Sequence, residues 1–250
     1  MSISSEQYKR IIYWFNKGNE LSISEGAKSY NDLSALRTAF FIYKENYRVL
    51  RKAIQNYYKQ PEILKEDSVR RWRRQRILIK DFQNSLTSAW SFVERYKNPK
   101  YYLKDTFHCF FKELRNFTVH KQILPLLSVS LHKEDFTEIR YETFKRENFQ
   151  KYLENSLKEH PNRIGYEKAL SYLLSLQKDK SLNEILADYD SKISKYYIDE
   201  VRNIVNTNYE NLMKFSTETG EVHKHFPNHP ITASKLRHLN YLLLKASKNQ

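Results

Sequence analysis

The feature that most constrains this chain is an apolar stripe in its first quarter. Leu36, Phe40, Tyr43, Tyr47, Leu50, Ile54 and Tyr57 alternate spacings of four and three. An α-helix of 3.6 residues per turn places such positions on one face, so a long helix is expected here, packed through its aromatic side and closed by Pro61. Only 4 Gly and 6 Pro occur in 250 residues. So few chain breaks favour long helices over many short strands.

The same periodicity runs through most of the chain. Tyr8, Ile11, Ile12 and Phe15 form a first short helical run, with Gly18 as its end and a loop from Asn19 to Asn31. Asp32 is then the expected cap of the long helix. A third helix is expected from Asp67 or Ser68 to Lys97–Pro99, with Val69, Trp72, Ile79, Phe82, Leu86, Trp90 and Val93 inward. A fourth covers Tyr101 to Val119. Phe107, Phe111, Leu114 and Thr118 face inward and Phe110 and Phe117 flank them. Four helices on short connections suggest an up-and-down bundle.

After Pro125 the period changes to two. Leu127, Val129 and Leu131 alternate with serines, and Ile139, Tyr141 and Thr143 alternate with charged residues. With the polar group His132–Asp135 between them, these runs read as a β-hairpin. Helices resume at Phe149–Lys158 and Tyr166–Leu176. One long helix follows from Leu182 to about Phe215, then a loop over Thr217–Pro230 and a last helix over Thr232–Lys245. The fold expected is mainly α: a helical bundle over residues 1–125, then a hairpin and helical extension over residues 126–250, packed on the first half.

Composition bounds the partners. The net charge of +14 favours a polyanion such as RNA, DNA or an anionic surface. Arg70, Arg71, Arg73 and Arg74 open the third helix, where the helix dipole disfavours cations, and mark a candidate phosphate-binding face. One cysteine, Cys109, excludes an internal disulfide framework. No apolar leader or membrane-length run is present, so the expected location is the cytoplasm, with no membrane partner. No phosphate-binding glycine loop, nucleophile elbow or zinc-protease pattern occurs. His223, His225 and His229 lie in EVHKHFPNHP without cysteines and with Glu221 as the one near carboxylate, so neither a metal site nor a cofactor is expected.

The segment that carries chemistry is FFKELRNFTVHKQILPL, Phe110 to Leu126. Chance supplies ~0.5 arginine–four–histidine pairs in a chain of this composition, and ~0.04 once an asparagine must follow the arginine. Histidine moves protons near neutral pH. Arginine grips a phosphate through a planar fork. Asparagine can orient the histidine or donate to an oxygen. Together, Arg115, Asn116 and His120 suit RNA cleavage by the 2′-hydroxyl without a metal. Asn116 and His120, four apart, share a helix face, whereas Arg115 and His120 stand roughly 140° apart. One chain supplies one histidine, so acid and base roles can be divided between two copies of a symmetric dimer. His108 and Lys112, on the arginine's side of the helix, extend a candidate basic cleft.

LRNFTVH at the end of a helical bundle resembles the catalytic motif of HEPN domains (higher eukaryotes and prokaryotes nucleotide-binding). The signature is an arginine, a polar residue, three variable residues and a histidine, and the resemblance covers roughly residues 1–125. It implies a metal-independent endoribonuclease acting as a homodimer, with Arg115 and His120 catalytic and Asn116 in support. It also implies a toxin or phage-defence role, with an antitoxin or regulatory protein as partner. In one toxin branch a tyrosine stands two residues after the histidine as the target of antitoxin modification. Here that position is Gln122, which speaks against that control. The alternative from another class is a non-catalytic basic helical module that binds RNA, a nucleotide or a protein partner.

Overall fold

The computed structural model describes residues 4–58, 68–96, 105–121, 126–133, 136–144, 146–176, 182–229, 239–241 and 243. The expected helix ends at Pro61 and Lys97–Pro99 lie outside these residues, as does most of the last helix expected over Thr232–Lys245. The protein is mainly helical. Its elements are α1 (Ser5–Ser22), α2 (Glu25–Tyr58), α3 (Ser68–Tyr96), α4 (Thr106–Lys121), β1 (Leu126–Lys133), β2 (Phe136–Phe144), α5 (Arg146–Glu159), α6 (Ile164–Ser175), α7 (Leu182–Thr207) and α8 (Tyr209–His225). β1 and β2 pair antiparallel, Leu126 opposite Phe144 and Lys133 opposite Phe136. Leu127 faces Thr143 while Val129 faces Arg140, so β2 carries an extra residue there as a bulge.

The chain gathers into two compact units, and the boundary is not at residue 125. One unit holds Met1–Thr38 with Tyr196–Gln250, the other Ala39–Lys195, so the bounds fall within α2 and α7.

In the unit of the two chain ends, the sequence reading needs four corrections. The loop expected over Asn19–Asn31 is helical except at Ile23 and Ser24. Gly18 and Gly26 look like breakers but mark close approaches. A Cβ on Gly18 would stand 2.4 Å from the His229 ring, and one on Gly26 would stand 2.3 Å from the Asn211 carbonyl oxygen. Ser24 supplies the actual break. Its hydroxyl donates to the Leu21 carbonyl (2.8 Å) and accepts from the Ala27 amide (3.2 Å), the geometry of an N-cap. Asp32 therefore lies inside α2.

The second correction concerns α1. Tyr8, Ile11, Ile12 and Phe15 are exposed, while Trp14, Gly18 and Leu21, at spacings of four and three, face inward as α1 packs on α8. The third concerns the run from Leu182 to Phe215. Asn208 divides it: its backbone leaves helical geometry (φ −118°, ψ 22°), and its Nδ2 donates to Ile204 O (2.9 Å), the acceptor its own backbone N–H already uses (3.1 Å). The expected loop Thr217–Pro230 is helical up to His225, because Thr219 and Val222 continue the buried face of Leu212 and Phe215. Leu21, Tyr30, Val205, Leu212, Phe215 and Leu239 share this unit's core.

The other unit is built on aromatic packing. Tyr43, Tyr47, Leu50 and Ile54 of the α2 stripe are buried. On α3, Leu78, Phe82, Leu86, Ala89, Phe92 and Val93 are buried. Val69, expected inward, is exposed, and among the described side chains of α3 the first buried one is Leu78. Phe111 stacks on Tyr189 with ring centroids 3.8 Å apart. Lys44 bridges both oxygens of Asp190 at 2.7 and 2.8 Å. Burial and the facing Asp190 carboxylate push the Tyr43 hydroxyl far above the usual tyrosine range. No helix among the described residues is long and apolar enough to cross a membrane.

Candidate functional site

The motif sits on α4, a helix with buried residues from Phe107 to Thr118. Asp105 starts it: Oδ1 accepts from the backbone amides of Phe107 (3.0 Å) and His108 (3.3 Å), satisfying two donors that every helix leaves open. The same carboxylate pairs with Lys192 at 2.6 Å. Phe107, Phe110, Phe111, Leu114, Phe117 and Thr118 are all buried, so the residues expected to flank the buried face are as enclosed as the face itself. The reason is that α4 has neighbours on several sides. Phe110 and Phe117 meet Phe149 of α5, Phe107 meets Tyr172 of α6, and α3 covers the opposite side.

At its C-terminal end the helix leaves this packing. Val119 and His120 are exposed. The Thr118 carbonyl is among the last four, which have no partner within the helix. It accepts from Gln83 Nε2 of α3 at 2.8 Å. Arg115, half-buried, donates from Nε to Thr87 Oγ1 of α3 at 3.3 Å. The guanidinium is thus anchored on the α3 side.

Asn116 lies on the other side. Its Nδ2 donates to Glu113 Oε2 at 3.1 Å, so its amide nitrogen turns to Glu113 and not to His120. Glu113 is only 4% exposed. Burial pushes its carboxyl above the usual range, opposed by the Asn116 hydrogen bond and by the charges of Lys112, Arg163 and Arg115. Gly165, in the first turn of α6, lies against the same carboxyl: a Cβ there would stand 3.9 Å from Oε1. Tyr152 of α5, hydrogen-bonded to Tyr166 and Ser156, is held above its ordinary pKa by burial and then by the Glu113 charge.

The wider basic set divides. His108 is 1% exposed and stacks on Trp90, ring centroids 5.1 Å apart and planes 6° from parallel. Its placement in a cleft is therefore corrected: the helix face it shares with Arg115 is covered by α3. Lys112 sets its ammonium over the same Trp90 ring at 5.0 Å, a cation–π contact on a half-buried side chain. Arg73 is exposed on α3. The side chains of Arg70, Arg71 and Arg74 lie outside the described residues.

Two histidines of EVHKHFPNHP, His225 and His229, have packing roles. His225 stacks on Trp14 (4.4 Å), its Nδ1 lies 3.1 Å from an Arg10 guanidinium nitrogen and its Nε2 lies 3.7 Å from Glu221. His229 is buried against Gly18 and Phe15. Among the described residues no group of three His, Cys, Asp or Glu is placed to hold a metal ion.

Sequence reasoning missed Thr87, Gln83 and the Glu113–Asn116 bond. The last had a local signal, a carboxylate three residues before an amide on one helix. Thr87 and Gln83 had none, because they reach the motif only by the packing of α3 on α4. Comparison with known proteins finds no matching family, no matching curated protein and no matching solved structure.

Proposed function

We propose that this chain is a HEPN-like endoribonuclease that cleaves RNA without a metal, acting as a homodimer in a toxin or phage-defence role. In this reading the HEPN-like helices are those of the Ala39–Lys195 unit that surround α4. The observation that carries the reading is the end of α4. A helix buried in aromatic packing terminates in an exposed histidine, with an arginine anchored through one edge of its fork and an asparagine held by a buried carboxylate.

The chemistry follows from these groups. A histidine takes the proton of the 2′-hydroxyl, whose oxygen attacks the adjacent phosphorus. The bond to the 5′-oxygen breaks, that oxygen receives a proton, and a 2′,3′-cyclic phosphate and a 5′-hydroxyl result. Thr87 holds the Nε edge of Arg115, and its Nη edge meets the phosphate, where charge builds in the transition state. His120 of one copy and His120 of a second divide the acid and base roles.

The test is cleavage of a mixed RNA in excess chelator by wild type, Arg115→Ala and His120→Ala. Cleavage by wild type alone supports the reading. Equal cleavage by all three overturns it. The net charge of +14 favours a second reading, a basic module that binds RNA and cuts nothing. Under that reading wild type and His120→Ala would bind RNA equally, and binding would weaken with salt.

A further inference from the structure

We propose that Glu113 is a positioning residue of this site: it holds the Asn116 amide so that Oδ1 is presented as an acceptor on the helix stripe that ends at His120. The proposal rests on the endoribonuclease reading and adds to it a residue outside the motif.

Hydrogen-bond chemistry sets which way the Asn116 amide points. An ionised carboxylate only accepts, so the Asn116 atom against Glu113 Oε2 is its NH2 group. Oδ1 is then the amide's remaining polar end. Glu113, Asn116 and His120 stand at spacings of three and four, which is one stripe of a helix. Arg115 lies off that stripe and is tied to Thr87. The site thus separates its functions between two faces of α4. The α3 side holds the cation for phosphate. The side of α5 and α6 holds an acceptor, suited to the 2′-hydroxyl or to a protonated ring nitrogen of His120 and unsuited to a phosphate oxygen.

The energetics favour function over packing. A carboxylate that is 4% exposed is costly to bury, and a side chain that merely filled this space would be cheaper without its charge. Several groups act on it: the charges of Lys112 and Arg115 from α4 itself and of Arg163 at the start of α6, then Gly165 of α6 and Tyr152 of α5. The positive end of the α6 dipole also favours an anion there. These offset part of the burial cost, and the carboxyl remains above its ordinary pKa. Protonation turns Glu113 into a donor able to pair with Oδ1, which lets the amide reverse and withdraws the acceptor.

The test is single-turnover cleavage of an RNA oligonucleotide in chelator across pH, using full-length wild type, Glu113→Gln and His120→Ala. Gln matches the shape of Glu but pairs with either end of the amide. The expected result is about a tenfold lower saturating cleavage rate with the half-saturating concentration within about twofold, the size of one hydrogen bond to a charged group. The acid limb of the wild-type pH profile is expected to vanish in Glu113→Gln. A structural role would lower the folded fraction and leave the profile in place. Wild-type rate and profile in Glu113→Gln, with His120→Ala inactive, overturn this proposal and leave the ribonuclease reading standing. No cleavage by wild type, or equal cleavage by His120→Ala, overturns both. The Asn116 side-chain amide resonance gives a check that needs no variant. It should shift with pH as Glu113 titrates, and an amide that ignores pH overturns the assignment.

Discussion

Arg115 Nε donates to Thr87 Oγ1 across 3.3 Å, joining the motif on α4 to a residue of α3 twenty-eight positions earlier in the chain. The bond fixes one edge of the guanidinium fork. Thr87→Val keeps the shape and removes the acceptor. We expect RNA cleavage to fall about two- to tenfold, the worth of one such bond, with Tm little changed. Full activity in Thr87→Val would show that Arg115 needs no anchor.

Asp105 has two tasks, capping α4 and pairing with Lys192. Asp105→Asn keeps an oxygen for the cap and loses the charge, while Asp105→Ala loses both. We expect Asp105→Ala to cost about 2 kcal/mol in urea unfolding and Asp105→Asn about half of that. Equal losses would assign the whole effect to the ion pair.

The helical glycines should respond in opposite directions. Gly26→Ala drives a methyl group into the Asn211 carbonyl, and Gly18→Ala drives one into the buried His229 ring. Each should destabilise by about 1–3 kcal/mol, with Gly26 worse because backbone yields less than a ring. At Gly220, inside α8, a methyl group would meet nothing within 4 Å, so Gly220→Ala should stabilise by about 0.5–1 kcal/mol. Thermal unfolding of the three variants decides this, and the same sign throughout would contradict the packing described.

Stability should carry the mark of Glu113. Its folded pKa is raised above the ordinary value of 4.5, so the folded state binds the proton more tightly than the unfolded chain does. The contribution is fully present below the unfolded value and is lost as pH rises through the folded one. Glu113→Gln should therefore be more stable than wild type at neutral pH, with the gap closing in acid. Urea midpoints measured across pH would reveal it, and a less stable Glu113→Gln at neutral pH would refute it.

Cys109 is buried, and that burial pushes its thiol pKa up. Because the thiolate is the reactive form, a disulfide-exchange reagent should label native protein very slowly and denatured protein at once. Rapid labelling of native protein would mean that α4 opens readily.

The residues themselves explain how much could be read in advance. The stripe from Leu36 to Ile54 and the aromatic run of α4 declare their helices, because helix period and burial are local signals carried by side-chain type. The spacing of Arg115, Asn116 and His120 is legible for the same reason. Gly18 and Gly26 mislead because a glycine at a helix crossing looks, in sequence, like one that ends a helix. The difference lies in what stands opposite the missing Cβ. Asn208 misleads in the other direction, since the apolar spacing from Ile204 to Leu212 runs on through the break.

The sequence alone determined a mainly helical chain, the faces most helices bury, and the polar residues at the end of α4. Tertiary structure alone decided that His108 is a core residue, that Thr87 holds Arg115, and that Glu113 is buried where it grips Asn116. Periodicity records how each residue sits on its own helix. Which neighbouring helix covers that face, and so which polar group gains a partner or loses its water, is a long-range fact that appears only when the helices pack.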